Sequence, residues 1–171
     1  MQNHFALFHL PQQFAIDTVA LDAAYREVQN QVHPDKFVSA ADAEKRVAMQ
    51  WATRANEAYQ TLKSPFKRVV YLCELNGVDL QVESNTAMPT AFLMQQMAWR
   101  EALDDVRDTR DLGALEKLDA TLRAARKTEL DAIAGLLDNG RFEDAGQGVR
   151  QLMFLEKFGE EIARAFEILE A

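Results

Sequence analysis

The sequence predicts an all-α protein built from two helical modules, and three observations carry that prediction. Apolar residues recur at steps of three and four along most of the chain, and no stretch alternates as a strand does. Seven glycines and four prolines in 171 residues are too few for a fold that depends on many tight turns. Charge divides the chain where the pattern does. Residues 1–76 carry eight Lys/Arg and eight Asp/Glu, whereas the remainder carries eleven against nineteen and so holds the whole net charge of −8.

Residues 3–10 (NHFALFHL) predict a short helix ended at Pro11. Asp17 or Thr18 caps the next, on which Leu21, Tyr25, Val28 and Val32 line one face. That helix must end near Val32, because Pro34 pushes the residue before it out of the α region. Ser39 offers the cap of a third helix, with Asp42 three residues on and Ala48, Trp51, Ala55, Tyr59 and Leu62 as its apolar face. It stops before Pro65. Residues 66–75 form a fourth helix, closed by Asn76-Gly77 with glycine in the left-handed position.

Residues 1–76 therefore read as one module. Residues 78–90 lack helical period and contain Ser, Asn and Pro, so residues 77–88 read as a linker. Three longer patterns fill residues 89–171. One covers about 91–108 and is capped by Thr90; a second covers about 111–138, with Leu112, Leu115, Leu118, Leu122, Leu130, Ile133 and Leu137; a third covers about 141–169. Short turns between long helices predict an antiparallel three-helix bundle.

Composition also narrows function. One cysteine, Cys73, excludes an internal disulfide and any multi-cysteine zinc site, and it falls in the apolar pattern of the fourth helix. The first residues lack the basic and apolar regions of a signal peptide, and no apolar run approaches the roughly 20 residues that span a bilayer. A cytoplasmic protein is expected. An acidic second half argues against nucleic acid and anionic membrane as partners.

The stretch His33-Pro34-Asp35 sits between two predicted helices. Pro34 fixes one backbone angle and donates no hydrogen bond, so an imidazole and a carboxylate are splayed from a stiff turn. Two readings stand at this point: a polar interhelical turn with Asp35 as a local cap, or a shape that another protein reads. A catalytic pair would need a nucleophile, yet Ser39 and Ser64 lie where capping explains them, and Cys73 reads as core. A metal site would need His4 or His9 to join His33, with no ligand spacing to recommend it. No enzymatic activity, metal or cofactor is expected.

A second candidate emerges from a helical wheel over residues 91–106. Phe92, Gln96, Trp99, Leu103 and Val106 fall within roughly 80° of one another and form a core stripe. Leu93, Met94 and Met97 fall on another side, extended by Glu101, Asp104 and Asp105. An apolar patch away from the core stripe either packs on both sides or offers a binding surface, and methionines suit an adaptable surface. Arg123, Arg126 and Lys127 read as a solvated face; Trp51, Tyr59 and Tyr71 read as helix-core aromatics.

A short helix with Phe5, Leu7 and Phe8, a longer helix ending in VHPDKF, and a third closing with Asn56-Glu57-Ala58-Tyr59-Gln60-Thr61-Leu62 together resemble a J domain. TAFLMQQMAWREALDD (90–105) and VRQLMFLEKF (149–158) resemble the C-terminal domain of the HscB family, the J-type co-chaperones of iron–sulfur cluster assembly. The chain lacks the paired cysteines that precede the J domain in some eukaryotic relatives, as the bacterial form does.

The resemblance implies an activator rather than an enzyme: a protein that binds the DnaK-class chaperone HscA, stimulates its ATP hydrolysis and delivers the scaffold IscU to it. His33, Pro34 and Asp35 match the family's loop for the chaperone ATPase, with Lys36 and Arg26 adding favourable charge. Leu93, Met94, Met97, Glu101, Asp105 and Phe154 match the scaffold-binding surface. The chain departs from the family in three places: Arg26 is the one base of the second helix, Val32 replaces the usual aromatic residue, and Ala98 stands where an acidic residue is common. An adaptor for a general DnaK-class chaperone with another client is the competing expectation.

Overall fold

The computed structural model describes residues 2–80 and 88–171. The chain divides into two units, one ending at Leu75 and the other beginning at Asn76. Among the described residues both are helical and neither contains a strand.

The first unit opens with α1 (His4–Leu7), capped by Asn3, whose side chain accepts from the Ala6 N–H at 2.9 Å. This helix is shorter than its sequence pattern. His9 turns left-handed (φ 57°) and Leu10 N–H donates to the Phe5 carbonyl, so the chain leaves the helix well before Pro11. Asp17 caps α2 (Thr18–Gln31), accepting from the N–H groups of Val19 and Ala20.

The third helix, α3 (Asp42–Lys63), lies antiparallel to α2. Asp22 accepts from Tyr59 at 2.7 Å and from Lys63 at 2.9 Å, while Tyr25 donates to Asn56 at 3.2 Å. The expected Ser39 cap is not used: α3 starts later, behind Ala41, which makes no side-chain cap. The intervening chain is taken up by a 3-10 turn at Pro34–Phe37, and Asp42 and Glu44 supply negative charge to the first turn of α3 instead.

The fourth helix, α4 (Pro65–Leu75), closes this unit. Phe5, Phe8, Leu21, Ala55, Ala58, Leu62, Val69, Leu72 and Cys73 form its core. Arg68 is buried among them. It donates to the Leu62 and Phe14 carbonyls, both at 2.8 Å, and lies 5.1 Å over the Phe14 ring. Trp51, expected in the core, is exposed instead, with the Arg54 guanidinium 5.5 Å above its ring. The buried face of α3 is made instead by Ala48, Ala55, Ala58 and Leu62.

The second unit is α5 (Thr90–Thr109), α6 (Leu112–Asp138) and α7 (Phe142–Glu170). Thr90 does not cap α5; Pro89 holds that position and its carbonyl accepts from Leu93 N–H at 3.1 Å. Asp111 caps α6 through Ala114 N–H at 3.0 Å, and Gly140 (φ 71°) makes the left-handed turn into α7. The α6–α7 packing is close: a Cβ at Gly148 would stand 2.8 Å from Ile133 Cγ1. Leu115, Leu118, Leu122, Ile133, Val149, Leu152, Leu155, Phe158 and Ile162 fill the core. Leu112, placed in that stripe by its spacing, is exposed at the first position of α6.

Residues 81–87 of the expected linker lie outside the described residues. Its preceding part is packed rather than loose. Val78 is buried against Gly146, and the Arg150 guanidinium donates to the Asp79 carbonyl. Arg123 and Lys127 pair along α6 with Asp119 at 3.0 Å and Asp131 at 2.9 Å, whereas Arg126 reaches across to Glu156 on α7 at 3.6 Å.

Candidate functional site

Two exposed sites stand out, one in each unit. In the first, Pro34 forces His33 into extended backbone (φ −60°, ψ 135°) and then starts the 3-10 turn. His33 caps that turn: its Nδ1 accepts from the Asp35 N–H at 3.2 Å, and its carbonyl accepts from Lys36 N–H at 3.0 Å. Asp35 Oδ2 lies 3.6 Å from the same Nδ1, and the Asp35 side chain is 88% exposed. The histidine braces the turn while its side chain stays 57% exposed, so imidazole and carboxylate are both held out to solvent.

Lys36 and Arg26 are exposed as well. Beside the loop lies an apolar groove of about 460 Å3, walled by Val32, Pro34, Phe37, Val38, Ala48 and Met49. Val38, Val47 and Met49 are exposed around it. Sequence reasoning missed these residues. They break no periodic pattern, and their exposure depends on how the turn sits on α3.

In the second unit, the wheel's division of α5 is met in space. Phe92, Gln96, Trp99, Leu103 and Val106 are buried. Leu93, Met94 and Met97 are 48%, 65% and 64% exposed, and Glu101 and Asp105 are exposed on the following turns. Phe154 of α7 joins this surface: its ring is partly open to solvent and meets Phe92 edge-on with centroids 6.3 Å apart. The seam below is held by Trp99 on Phe158 at 5.9 Å and by the Arg100–Glu161 ion pair at 3.2 Å. Flexible thioethers beside an aromatic edge and a carboxylate rim form a surface suited to a complementary protein face.

Asp22 and Lys63 tie α2 to α3 rather than forming a reactive pair. The Tyr59 hydroxyl and then the Lys63 ammonium hold the Asp22 carboxyl below its ordinary range. Among the described residues no group of three His, Cys, Asp or Glu side chains is placed to hold a metal ion.

Residues 88–163 match the family model described as the HSCB C-terminal oligomerisation domain. A co-chaperone protein HscB homolog of Burkholderia multivorans is 56% identical over 168 residues, covering 98% of this chain and 96% of that protein. The solved structure of chaperone HscB from Vibrio cholerae is 34% identical, with a TM-score of 0.85 over 98% of this chain and 99% of that one. That of human co-chaperone protein HscB is 26% identical, with a TM-score of 0.89 over 95% of this chain and 81% of that one.

Proposed function

The chain belongs to the HscB co-chaperone family, and from that premise we propose that it is an adaptor of iron–sulfur protein maturation, which presents an IscU-type scaffold to an HscA-type chaperone and stimulates that chaperone's ATP hydrolysis. The hydrolytic chemistry belongs to the partner. In this reading residues 1–76 act as the J domain and residues 89–171 as the client-binding module, working in the cytoplasm.

His33, Pro34 and Asp35 engage the chaperone, with Lys36 and Arg26 lending positive charge. Asp35 offers a carboxylate that a basic group on the chaperone pairs with in a charge-assisted hydrogen bond. His33 keeps the turn in shape by holding the Asp35 N–H, and the apolar groove beside Pro34 extends the contact. Leu93, Met94, Met97 and Phe154 form the apolar centre of the scaffold contact, and Glu101 and Asp105 its acidic rim. Ala98 leaves a neutral gap between them. Holding the scaffold raises its effective concentration at the chaperone, so two weak contacts act as one strong one.

The observation that carries this reading is the exposure of Leu93, Met94 and Met97 on a helix whose other apolar side chains are buried. The test is steady-state ATP hydrolysis by the chaperone, with and without the scaffold. The full chain is expected to stimulate hydrolysis, more so with scaffold present. His33→Gln is expected to abolish stimulation while scaffold affinity stays unchanged. Stimulation of a general DnaK-class chaperone in place of HscA, or no binding of IscU, would overturn the iron–sulfur assignment.

A further inference from the structure

Gln96 is an anomaly at the base of the scaffold surface. Its side chain is 8% exposed by residue, and the amide nitrogen is buried with no hydrogen-bond partner. The other two buried polar side chains among the described residues, Arg68 and Arg150, are anchored by bonds to backbone carbonyls, although Arg150 Nε is also buried without a partner; Gln96 donates no such bond. The surroundings of Gln96 explain why it has no acceptor. One turn back, Phe92 meets Phe154; one turn on, Trp99 meets Phe158. Its neighbours one turn away on the buried stripe are thus aromatic and offer no acceptor, and Arg100 on the following turn is already paired with Glu161.

A buried donor left unpaired weakens the fold, and a methionine of similar length at the same place would not carry that cost. The position also has a functional setting. Gln96 lies three residues after Leu93 and next to Met97, on the border between the buried stripe and the exposed patch. Leu93, Met94, Met97 and Phe154 are apolar and the carboxylates of Glu101 and Asp105 only accept, while the Arg100 guanidinium one turn past Met97 is engaged by Glu161.

We propose that Gln96 is the hydrogen-bond donor of the scaffold-binding face. Its amide is unpaired in the free protein; on docking it turns out of the seam and donates to a carbonyl or carboxylate oxygen of the scaffold. Leaving the seam breaks no hydrogen bond to the nitrogen, so the rotation gives up packing alone. The new bond forms beneath Leu93 and Met97, where the docked partner excludes water and strengthens it. A partner that buries apolar surface there without an acceptor would leave the amide unpaired still. Gln96 thus discriminates between clients that the methionines alone would not tell apart.

This inference rests on the scaffold reading above and sharpens it. The experiment is calorimetric titration of the full chain with the metal-free scaffold, for the natural sequence and for Gln96→Met, beside thermal unfolding of both. Loss of one buried hydrogen bond is expected to weaken binding about tenfold, with the unfolding midpoint unchanged or raised. Equal affinity overturns the donor role. A lowered midpoint with equal affinity assigns the amide to the seam and overturns it too. If Gln96→Met does not fold, the side-chain amide resonance of Gln96 in the natural sequence decides: a scaffold-induced downfield shift with slowed proton exchange supports the proposal, and no change refutes it. If the natural sequence itself fails to bind the scaffold, the broader reading falls and this inference with it.

Discussion

Replacing Met94 and Met97 together by alanine isolates the client surface from the core of the same helix. Fully burying a methionine is worth about 1.5–3 kcal/mol. With 65% and 64% of these residues exposed, each has about 1–2 kcal/mol of apolar burial still to gain on docking. Truncation to alanine forfeits most of it, so the pair is expected to lose about 2–3 kcal/mol, or about 30- to 150-fold in scaffold affinity. Because neither side chain packs in the core, the same double variant is expected to change unfolding free energy by no more than about 0.5 kcal/mol each. Phe92→Ala, one turn away in the buried stripe, is expected to do the opposite and cost about 3–5 kcal/mol of stability. Isothermal titration with the scaffold and urea unfolding give the two readouts. An affinity change under about threefold, or a stability loss above about 2 kcal/mol, would show that the methionines are not a recognition surface.

Two further perturbations probe the units themselves. Arg68→Met removes a buried cation that ties the Phe14 and Leu62 carbonyls together, and is expected to destabilise the first unit by about 3 kcal/mol, read from the urea midpoint of its transition; a loss under about 1 kcal/mol would mean the clamp is dispensable. Glu129 in α6 has its carboxyl raised above 4.5 by burial, so its ionised form is what the fold disfavours. A folded value above the unfolded one means stability is greatest at low pH and declines as pH rises through the folded value. Glu129→Gln should therefore be more stable than the natural protein at pH 7, with the difference disappearing below 4.5; a difference constant with pH would refute the burial argument.

Much of this was legible because periodicity and proline are strong local constraints. The step of three and four separates Phe92 and Trp99 from Leu93 and Met97 before any coordinates exist, and burial divides them the same way. Pro34 alone places a break and a stiff turn between α2 and α3. Caps were less legible. Ser39 and Thr90 are good capping residues by type, but Pro34–Phe37 consumes the chain before α3, and Pro89 takes the position that Thr90 would have filled. Trp51 follows the apolar rhythm of α3 and is still exposed, at the rim of a cleft it shares with Val28 and Val32, because a rhythm does not tell how far along a face the neighbouring helix covers it. Val78 looked like linker by composition, yet a glycine sixty-eight residues later makes room for it. The unpaired amide of Gln96 was invisible for the same reason: a wheel shows that a side chain faces inward, not what it meets there.

The charge partition adds a consequence that neither site shows alone. Residues 1–76 balance eight cations with eight anions, and α2 offers Arg26 as its base beside Asp22 and Glu27. Asp35 stands beside Lys36 and a largely apolar groove with Lys45 in its wall. In the proposed reading, contact with the chaperone depends mainly on short-range fit at His33-Pro34-Asp35, since the cations of residues 1–76 are matched by as many anions and fields fade beyond about 8 Å at physiological salt. The second unit is different. It holds the entire net charge of −8, with Glu101 and Asp105 at the edge of the proposed client surface, so a scaffold with a basic face would be drawn from a distance before Leu93, Met94 and Met97 engage. In the proposed reading, client capture is thus the electrostatically steered step and chaperone docking the fitted one, and added salt is expected to slow the first more than the second.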